Sequence, residues 1–80
     1  MMQVLRIIEI AENTYALAVK LDDDSVHETV CRIADAEVAG EKTIKTFGFE
    51  SDDFQRRVMK GEIDVRAVIS AVEKLRTTKS

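Results

Sequence analysis

Apolar and polar residues alternate along the first quarter of the chain in the manner of β-strands that bury one face. Residues 4–10 are rich in branched aliphatic side chains, and after a break at residues 11–13 the larger apolar side chains occupy every second position of residues 15–21. The Asp-rich residues 22–25 come next, and their side-chain oxygens favour a turn because they bond to nearby backbone N–H groups. The pattern predicts two antiparallel strands followed by a turn.

Residues 26–38 fit two kinds of element, and the first is a helix. It would begin at an N-cap Ser25, with Glu28 completing a capping box, and it would end at Gly40. Its apolar stripe would comprise Val26, Val30, Ile33, Ala34 and Val38.

The other interpretation of the same segment is a pair of strands. Residues 26–34 would pair with residues 14–21, the chain would turn near Ala39 and Gly40, and residues 42–49 would return as the next strand. Clustered β-branched residues favour strands slightly. Both interpretations stay open at this point.

The last thirty residues predict two helices. Ser51 is placed to cap the first helix, and Asp52 and Asp53 lie in its first turn, where the helix dipole favours negative charge. Gly61 ends that helix, and Asp64 caps the second. Apolar residues then recur three and four positions apart, at Val65, Val68, Ile69, Val72 and Leu75.

Together these elements predict a single α+β domain over residues 1–80. We expect an antiparallel sheet of about four strands with two C-terminal helices packed on one face, and fraying of residues 77–80. The predicted core comprises Leu17, Val19, Leu21, Phe47, Phe49, Phe54, Val58, Val68, Ile69, Val72 and Leu75. A chain this short buries only roughly 60% of the surface that its unfolded state exposes, so the core is small.

Composition places the chain among ordinary globular proteins, with 45% apolar and 34% charged residues. Cys31 is the one cysteine, which excludes an internal disulfide and a Cys-rich zinc site and suits a reducing compartment. No apolar run approaches the roughly 18 residues that cross a bilayer, and the first residues lack the features of a signal peptide. We expect a soluble, cytoplasmic protein that does not bind membranes.

The net charge of −3 conceals an asymmetry along the chain. Residues 1–53 carry five basic and twelve acidic side chains, whereas residues 54–80 carry seven basic and three acidic ones. An acidic surface does not grip phosphates, but it can dock on a basic partner that itself binds nucleic acid. The plainer interpretation, that excess acid keeps a small protein soluble, also stays open.

The most polar stretch, residues 21–28, invites comparison with a calcium-binding loop. A loop that began at Asp22 would need glycine at its sixth position and glutamate at its twelfth, which here are His27 and Ile33. The sequence therefore predicts a charged turn and no metal site.

Candidate catalytic residues are few. His27 would need a nucleophile and an orienting acid in a cleft, and although Ser25 and Glu28 are close in sequence, a turn does not exclude water. We expect His27 to be partly exposed and Cys31 to be a buried structural residue, because nothing in the sequence activates its thiol. The glycines are isolated, so no phosphate-binding loop is present. We expect no enzyme and no cofactor.

The two C-terminal helices resemble a helix-turn-helix only superficially. A recognition helix presents polar side chains to base edges, whereas the apolar stripe of the second helix faces inward. Arg66, Lys74 and Arg76 remain for phosphates, without stacking aromatic residues. We expect no direct binding of nucleic acid.

One family resemblance covers most of the chain. Its features are an amphipathic strand at residues 15–21, the polar turn at residues 22–25, a third strand beginning at residue 26, residues 46–51 leading into a first helix, and a terminal helix. In this order of elements the chain resembles the small anti-CRISPR proteins of phages, in particular an inhibitor of the type I-F surveillance complex.

The resemblance implies a phage-encoded protein that acts in the cytoplasm of the bacterial host. Such a protein binds a multisubunit, RNA-guided complex and blocks its capture of target DNA. The aromatic and acidic residues that the inhibitor uses on its sheet correspond here to Arg6, Lys20 and Cys31, so they do not carry over.

A separate hypothesis for the partner-binding residues comes from charge. We predict that Asp22, Asp23, Asp24 and Glu28 contact a basic surface that holds nucleic acid in such a complex. The alternative function is a small homodimeric regulatory or interaction module of phage or bacterial origin.

Overall fold

A computed structural model of the protein describes residues 1–78 and has the predicted α+β fold. Four strands form one antiparallel sheet in the order β1-β2-β3-β4, and two helices follow them in the chain. The elements are β1 (Gln3–Ala11), β2 (Thr14–Lys20), β3 (Val26–Val38), β4 (Glu41–Phe49), α1 (Asp52–Met59) and α2 (Val65–Thr78).

The strand interpretation of residues 26–38 is confirmed, and the helix interpretation is wrong. Along β3, Val26 to Arg32 pair with β2, and Cys31 to Val38 pair with β4. One edge of β3 is therefore paired along its first half and the other edge along its second half, and both edges are paired at Cys31 and Arg32. The turn lies at Ala39 and Gly40, both with positive φ.

The sheet has two unlike faces. On the helix face, defined by Tyr15, Leu17 and Val19 of β2, side chains pack against α1 and α2. On the open face, defined by Ala16, Ala18 and Lys20 of the same strand, no described helix packs. Strand alternation places His27, Thr29 and Cys31 of β3 on the helix face, because they lie opposite Val19, Leu17 and Tyr15.

Most of the predicted core is buried, with one clear error. Leu17, Val19, Leu21, Phe54, Val68 and Val72 are buried, and Phe49, Val58 and Leu75 are partly buried against them. The prediction that Phe47 is in the core is wrong. Phe47 is 42% exposed, because it lies on edge strand β4 beside a groove that α2 does not fill. Ile69 lines the same groove and is only half-buried. The prediction missed Tyr15, Ile33 and Ile63, which are all buried.

Both helix starts are confirmed at the predicted caps. The hydroxyl of Ser51 accepts a hydrogen bond from the backbone N–H of Phe54 at 3.2 Å, and the carboxylate of Asp64 accepts one from Arg66 N–H at 3.0 Å. Gly61 follows α1 with a φ of +80°, a conformation that favours glycine.

The C-terminal end of α2 is more regular than expected. Thr77 and Thr78 are helical, and the Thr77 hydroxyl donates to the carbonyl of Glu73 at 2.7 Å, so the predicted fraying is wrong there. The rest of that prediction, at residues 79–80, lies outside the described residues. Arg76 of the same helix donates to Asp35 of β3 at 3.0 Å and so ties α2 to the long β3–β4 hairpin.

Both edge strands of the sheet are irregular. In β1 the register against β2 shifts between Val4 and Arg6 and again between Glu9 and Ala11, and in β4 it shifts opposite Ala34 and Asp35. Such bulges interrupt the row of free N–H and C=O groups on an edge strand and hinder pairing with another chain. Neither helix of the described chain is long and apolar enough to span a membrane.

Candidate partner-binding surface

The Asp-rich stretch forms a closed turn between β2 and β3. Leu21 N–H donates to the carbonyl of Ser25 at 2.9 Å, and Asp24 N–H donates to the carbonyl of Leu21 at 3.0 Å. Asp24 adopts a φ of +67°, which Asp and Asn tolerate better than most residues. The turn therefore forms from the residue types that the sequence places there, as predicted.

Asp23 holds the turn together. Its carboxylate accepts hydrogen bonds from the backbone N–H of Ser25 at 3.0 Å and from the Ser25 hydroxyl at 2.5 Å. These bonds favour the charged carboxylate and lower the pKa of Asp23 below its usual value of 3.8, the side-chain bond contributing most. Asp23 therefore stabilises the conformation of the turn and also contributes to its negative charge.

The other two aspartates project into solvent. The side chains of Asp22 and Asp24 are 76% and 83% exposed. Asp24 lies 3.2 Å from the ammonium of Lys20, and Asp22 contacts the terminal ammonium of Met1. Exposed ion pairs of this kind contribute little to stability, so both carboxylates are free to exchange partners.

Glu28 lies on the open face and not in the turn. It is opposite Ala18 in the β2–β3 ladder, and its carboxylate lies 3.6 Å from the guanidinium of Arg6 across that small residue. The structure thus brings three of the four predicted residues together in the turn and places the fourth at the same end of the sheet, on the open face.

The centre of the open face is apolar. Ile8 is about half exposed and, like Val30, lies beside the small Ala16, whereas Val26, also about half exposed, lies at the end of the sheet opposite Lys20. Next to them a shallow groove of about 400 Å³ has a mixed apolar and charged lining of Arg6, Ala16, Leu17, Glu28, Thr29, Val30, Glu50 and Ser51. This combination of an apolar centre with charged edges is typical of surfaces that bind proteins.

His27 is on the helix face and is partly exposed, as expected, with 13% of its side chain exposed. Its Nε2 lies 2.9 Å from the hydroxyl of Ser25, and its Nδ1 lies 3.6 Å from a carboxylate oxygen of Asp53 at the start of α1. Sequence reasoning considered Ser25 and Glu28 as its neighbours and missed Asp53, because no sequence signal joins residues 26 positions apart.

Asp53 adds a further acidic residue near this end of the molecule. Its hydrogen bond with Arg57, at 3.0 Å, is the main reason that its pKa lies below the usual 3.8, and the charges of His27 and Arg56 act in the same direction. Arg57 also donates to Glu62 at 2.9 Å. The negative charge of Asp53 is therefore largely balanced by neighbouring cations of the protein, unlike the charges of Asp22 and Asp24.

Cys31 is fully buried in the core, as predicted. Burial raises the pKa of its thiol to about 11, so it stays protonated at neutral pH and is a poor nucleophile. Among the described residues, no group of three or more His, Cys, Asp or Glu side chains is placed to hold a metal ion.

Comparison with known proteins identifies no relative of the chain. No family model, no curated protein and no solved structure matches the chain.

Proposed function

We propose that the protein is an anti-CRISPR-type inhibitor that binds an RNA-guided type I surveillance complex and blocks its capture of target DNA. The observation that carries this proposal is the open face of the sheet, which has an apolar centre and exposed carboxylates at one end. Four strands followed by two helices is also the order of elements from which the resemblance to the type I-F inhibitors was drawn.

The proposed binding surface combines two kinds of contact. Ile8, Val26 and Val30 supply apolar area, and the aspartate turn and Glu28 supply negative charge. With strands about 4.8 Å apart and 3.3 Å per residue, the sheet face measures on the order of 500 Å². A standard interface buries about 800 Å² per partner, so the turn and the edges of the sheet must contribute as well.

In this proposal the protein inhibits the complex by occupying the surface to which DNA binds. A surveillance complex holds nucleic acid along basic surfaces, and the carboxylates of Asp22 and Asp24 are exposed and paired only with solvent-exposed cations. They offer a basic surface the charges that phosphates would otherwise supply. The apolar centre then adds contact area that DNA lacks, which favours the protein over non-specific DNA.

The experiment is a gel-shift assay of target DNA with a purified type I-F surveillance complex, with and without preincubation with this protein. We expect loss of the DNA shift and comigration of the protein with the complex in gel filtration. An unchanged shift without comigration would contradict the proposal for this subtype and favour the homodimeric module, which would elute alone at twice the monomer mass.

A variant tests the charge mechanism separately. Replacing Asp22, Asp23 and Asp24 with Asn and Glu28 with Gln removes four charges and keeps residues that tolerate the turn. We expect association at low salt to slow by roughly ten- to hundred-fold. The matched control replaces four exposed acids elsewhere with Gln: Glu12, Glu37, Glu41 and Glu73. Equal effects of the two variants would exclude a specific acidic site while leaving inhibition itself intact.

A further inference from the structure

A chain of polar contacts links the aspartate turn to the first helix. It runs from the Asp23 carboxylate to the Ser25 hydroxyl at 2.5 Å, from that hydroxyl to His27 Nε2 at 2.9 Å, and from His27 Nδ1 to the Asp53 carboxylate at 3.6 Å. The four residues come from the turn, β3 and α1. The contacts therefore join parts of the molecule that are distant in sequence.

Counting protons fixes the direction of each contact. The Ser25 hydroxyl has one proton, and the Asp23 carboxylate can only accept, so the hydroxyl donates to Asp23. His27 Nε2 must then carry a proton and donate to the Ser25 oxygen. The Nδ1 atom faces a second carboxylate, that of Asp53, which also can only accept.

Only the protonated imidazole completes this chain. A neutral ring carries one N–H, and with that proton on Nε2 the bare Nδ1 would present a lone pair to the Asp53 carboxylate. The imidazolium donates from Nε2 to Ser25 and places a charged N–H 3.6 Å from the Asp53 carboxylate, an ion pair and not a hydrogen bond. We propose that His27 is a proton-dependent latch, which ties the aspartate turn to Asp53 at the N-terminus of α1 when it is charged and loses this ion pair when it is neutral.

The same proton count argues against a hydrolase. The order Ser25, His27 and Asp53 resembles a catalytic triad, in which the imidazole accepts the proton of the serine hydroxyl. Here that proton is committed to Asp23, and His27 Nε2 is a donor. The arrangement therefore fits a structural link and not an activated nucleophile.

Several charged groups act on the latch. Asp23 acts on His27 from the turn, and Asp53 acts on it from α1. Arg57 and Arg56 compete for Asp53, at 3.0 and 3.7 Å. From β2 the residue opposite His27 is Val19, which carries no charge.

The latch has a consequence that rests on the proposed function. If the aspartate turn binds a basic partner, protonation of His27 fixes the turn against α1 and lowers the entropy lost on binding. Affinity then falls as His27 loses its proton. The latch itself exists without any partner. The latch proposal can therefore be contradicted while the inhibitor proposal stands, and the inhibitor proposal can be contradicted while the latch proposal stands.

The test is an NMR pH titration of the free protein between about pH 5 and 8, where histidine side chains change charge. We expect the ring nitrogens of His27, the amide of Ser25 and the amides of Asp53 and Phe54 to follow one common transition. In Asp53→Asn the α1 amides should lose that transition while the Ser25 amide keeps it. In His27→Gln all of these amides should lose it.

Asp52→Asn is the matched control, because Asp52 lies in the same turn of α1 but makes no ion pair among the described residues. It should leave the common transition unchanged. The latch is overturned if the α1 amides of the natural protein do not follow the His27 ring, or if the ring nitrogens show a neutral Nδ1–H form that persists through the transition.

Discussion

At the scale of single residues, position in the sheet decides the role of an aromatic side chain more than its chemistry does. Phe47 and Phe49 both project from β4 on the helix face, and their rings contact each other edge to face at 5.7 Å. Phe49 reaches the α1 residue Phe54 at a centroid distance of 4.8 Å, whereas Phe47 stays 42% exposed. The alternation along β4 correctly predicts the face of the sheet on which each ring lies, but it does not predict how far each ring is buried.

Phe54 is the residue whose loss should cost most. It is fully buried and joins α1 to the sheet through Phe49. Phe54→Ala should lower the free energy of unfolding by roughly 3–5 kcal/mol, because it removes a buried ring and leaves a cavity. Urea denaturation followed by circular dichroism measures the change, and Phe54→Leu gives a milder variant if the alanine variant does not fold.

The comparison is Phe47→Ala, which removes the same ring from a half-exposed site. We expect a loss of less than about 1.5 kcal/mol, since less apolar surface returns to water. Equal losses of stability in the two alanine variants would contradict the larger role assigned here to Phe54.

At the scale of elements, residues 26–38 show where local sequence signals fall short. Ser25 and Glu28 have the spacing of a capping box, yet the carboxylate of Glu28 contacts Arg6 across the sheet, and Ser25 serves the turn. Contacts between residues distant in sequence fix the strand instead. For example, the Thr29 hydroxyl accepts a hydrogen bond from Ser51 N–H at 3.0 Å. Pairing on both edges of β3 overrides a helix signal that involves only neighbouring residues.

Other elements follow from local chemistry and could be predicted with their ends. The caps of α1 and α2 lie at Ser51 and Asp64, where residue type alone points to them. The bulges in β1 and β4 were not predicted, although the alternation is broken there: Val4 and Leu5 are both apolar, and Ile44 and Phe47 are three positions apart. The His27 contact with Asp53 could not be predicted, because it depends on the register of β3 and the direction of α1.

The start of α1 should depend on its cap. Ser51→Ala removes the acceptor for the Phe54 N–H and should cost about 1 kcal/mol. For a chain of this length, the melting temperature should fall by roughly 4–8 °C. Ser51→Asp keeps an acceptor and should be close to the natural protein in thermal denaturation.

The control for the cap is Ser70→Ala, an exposed position within α2. Alanine is the better helix former there, so stability should stay the same or rise slightly. A loss at Ser70 equal to that at Ser51 would mean that the measured cost is not that of the cap.

At the scale of the whole molecule, the two charged parts of the chain meet in the fold. Arg57 and Arg76 come from the basic C-terminal part, and they pair with Asp53 and Asp35 of the acidic part. Exposed acids are spread over the surface: Asp22 and Asp24 lie at the turn between β2 and β3, and Glu12, Glu37, Glu41 and Glu73 lie elsewhere. Some opposite charges are therefore paired within the molecule, and the surplus negative charge is distributed over its surface.

This distribution predicts how stability changes with acidity. The pKa values of Asp23 and Asp53 lie below 3.8 in the folded protein, through the Ser25 and Arg57 hydrogen bonds respectively. A carboxyl group with a lowered folded pKa contributes stability in full above its unfolded pKa. That contribution is lost as the pH falls through the lower, folded value. These two groups should therefore leave stability unchanged from pH 7 to about 5 and reduce it below about pH 4.

Urea denaturation of the natural protein and of Asp53→Asn at several pH values tests the assignment. The variant should be less stable at neutral pH, because Arg57 loses its carboxylate partner, and it should lose less further stability in acid. Asp52→Asn again supplies the comparison, since it removes a first-turn carboxylate without breaking a described ion pair. An acid transition equally steep in the natural protein and in Asp53→Asn would show that the Asp53–Arg57 pair does not couple folding to protonation.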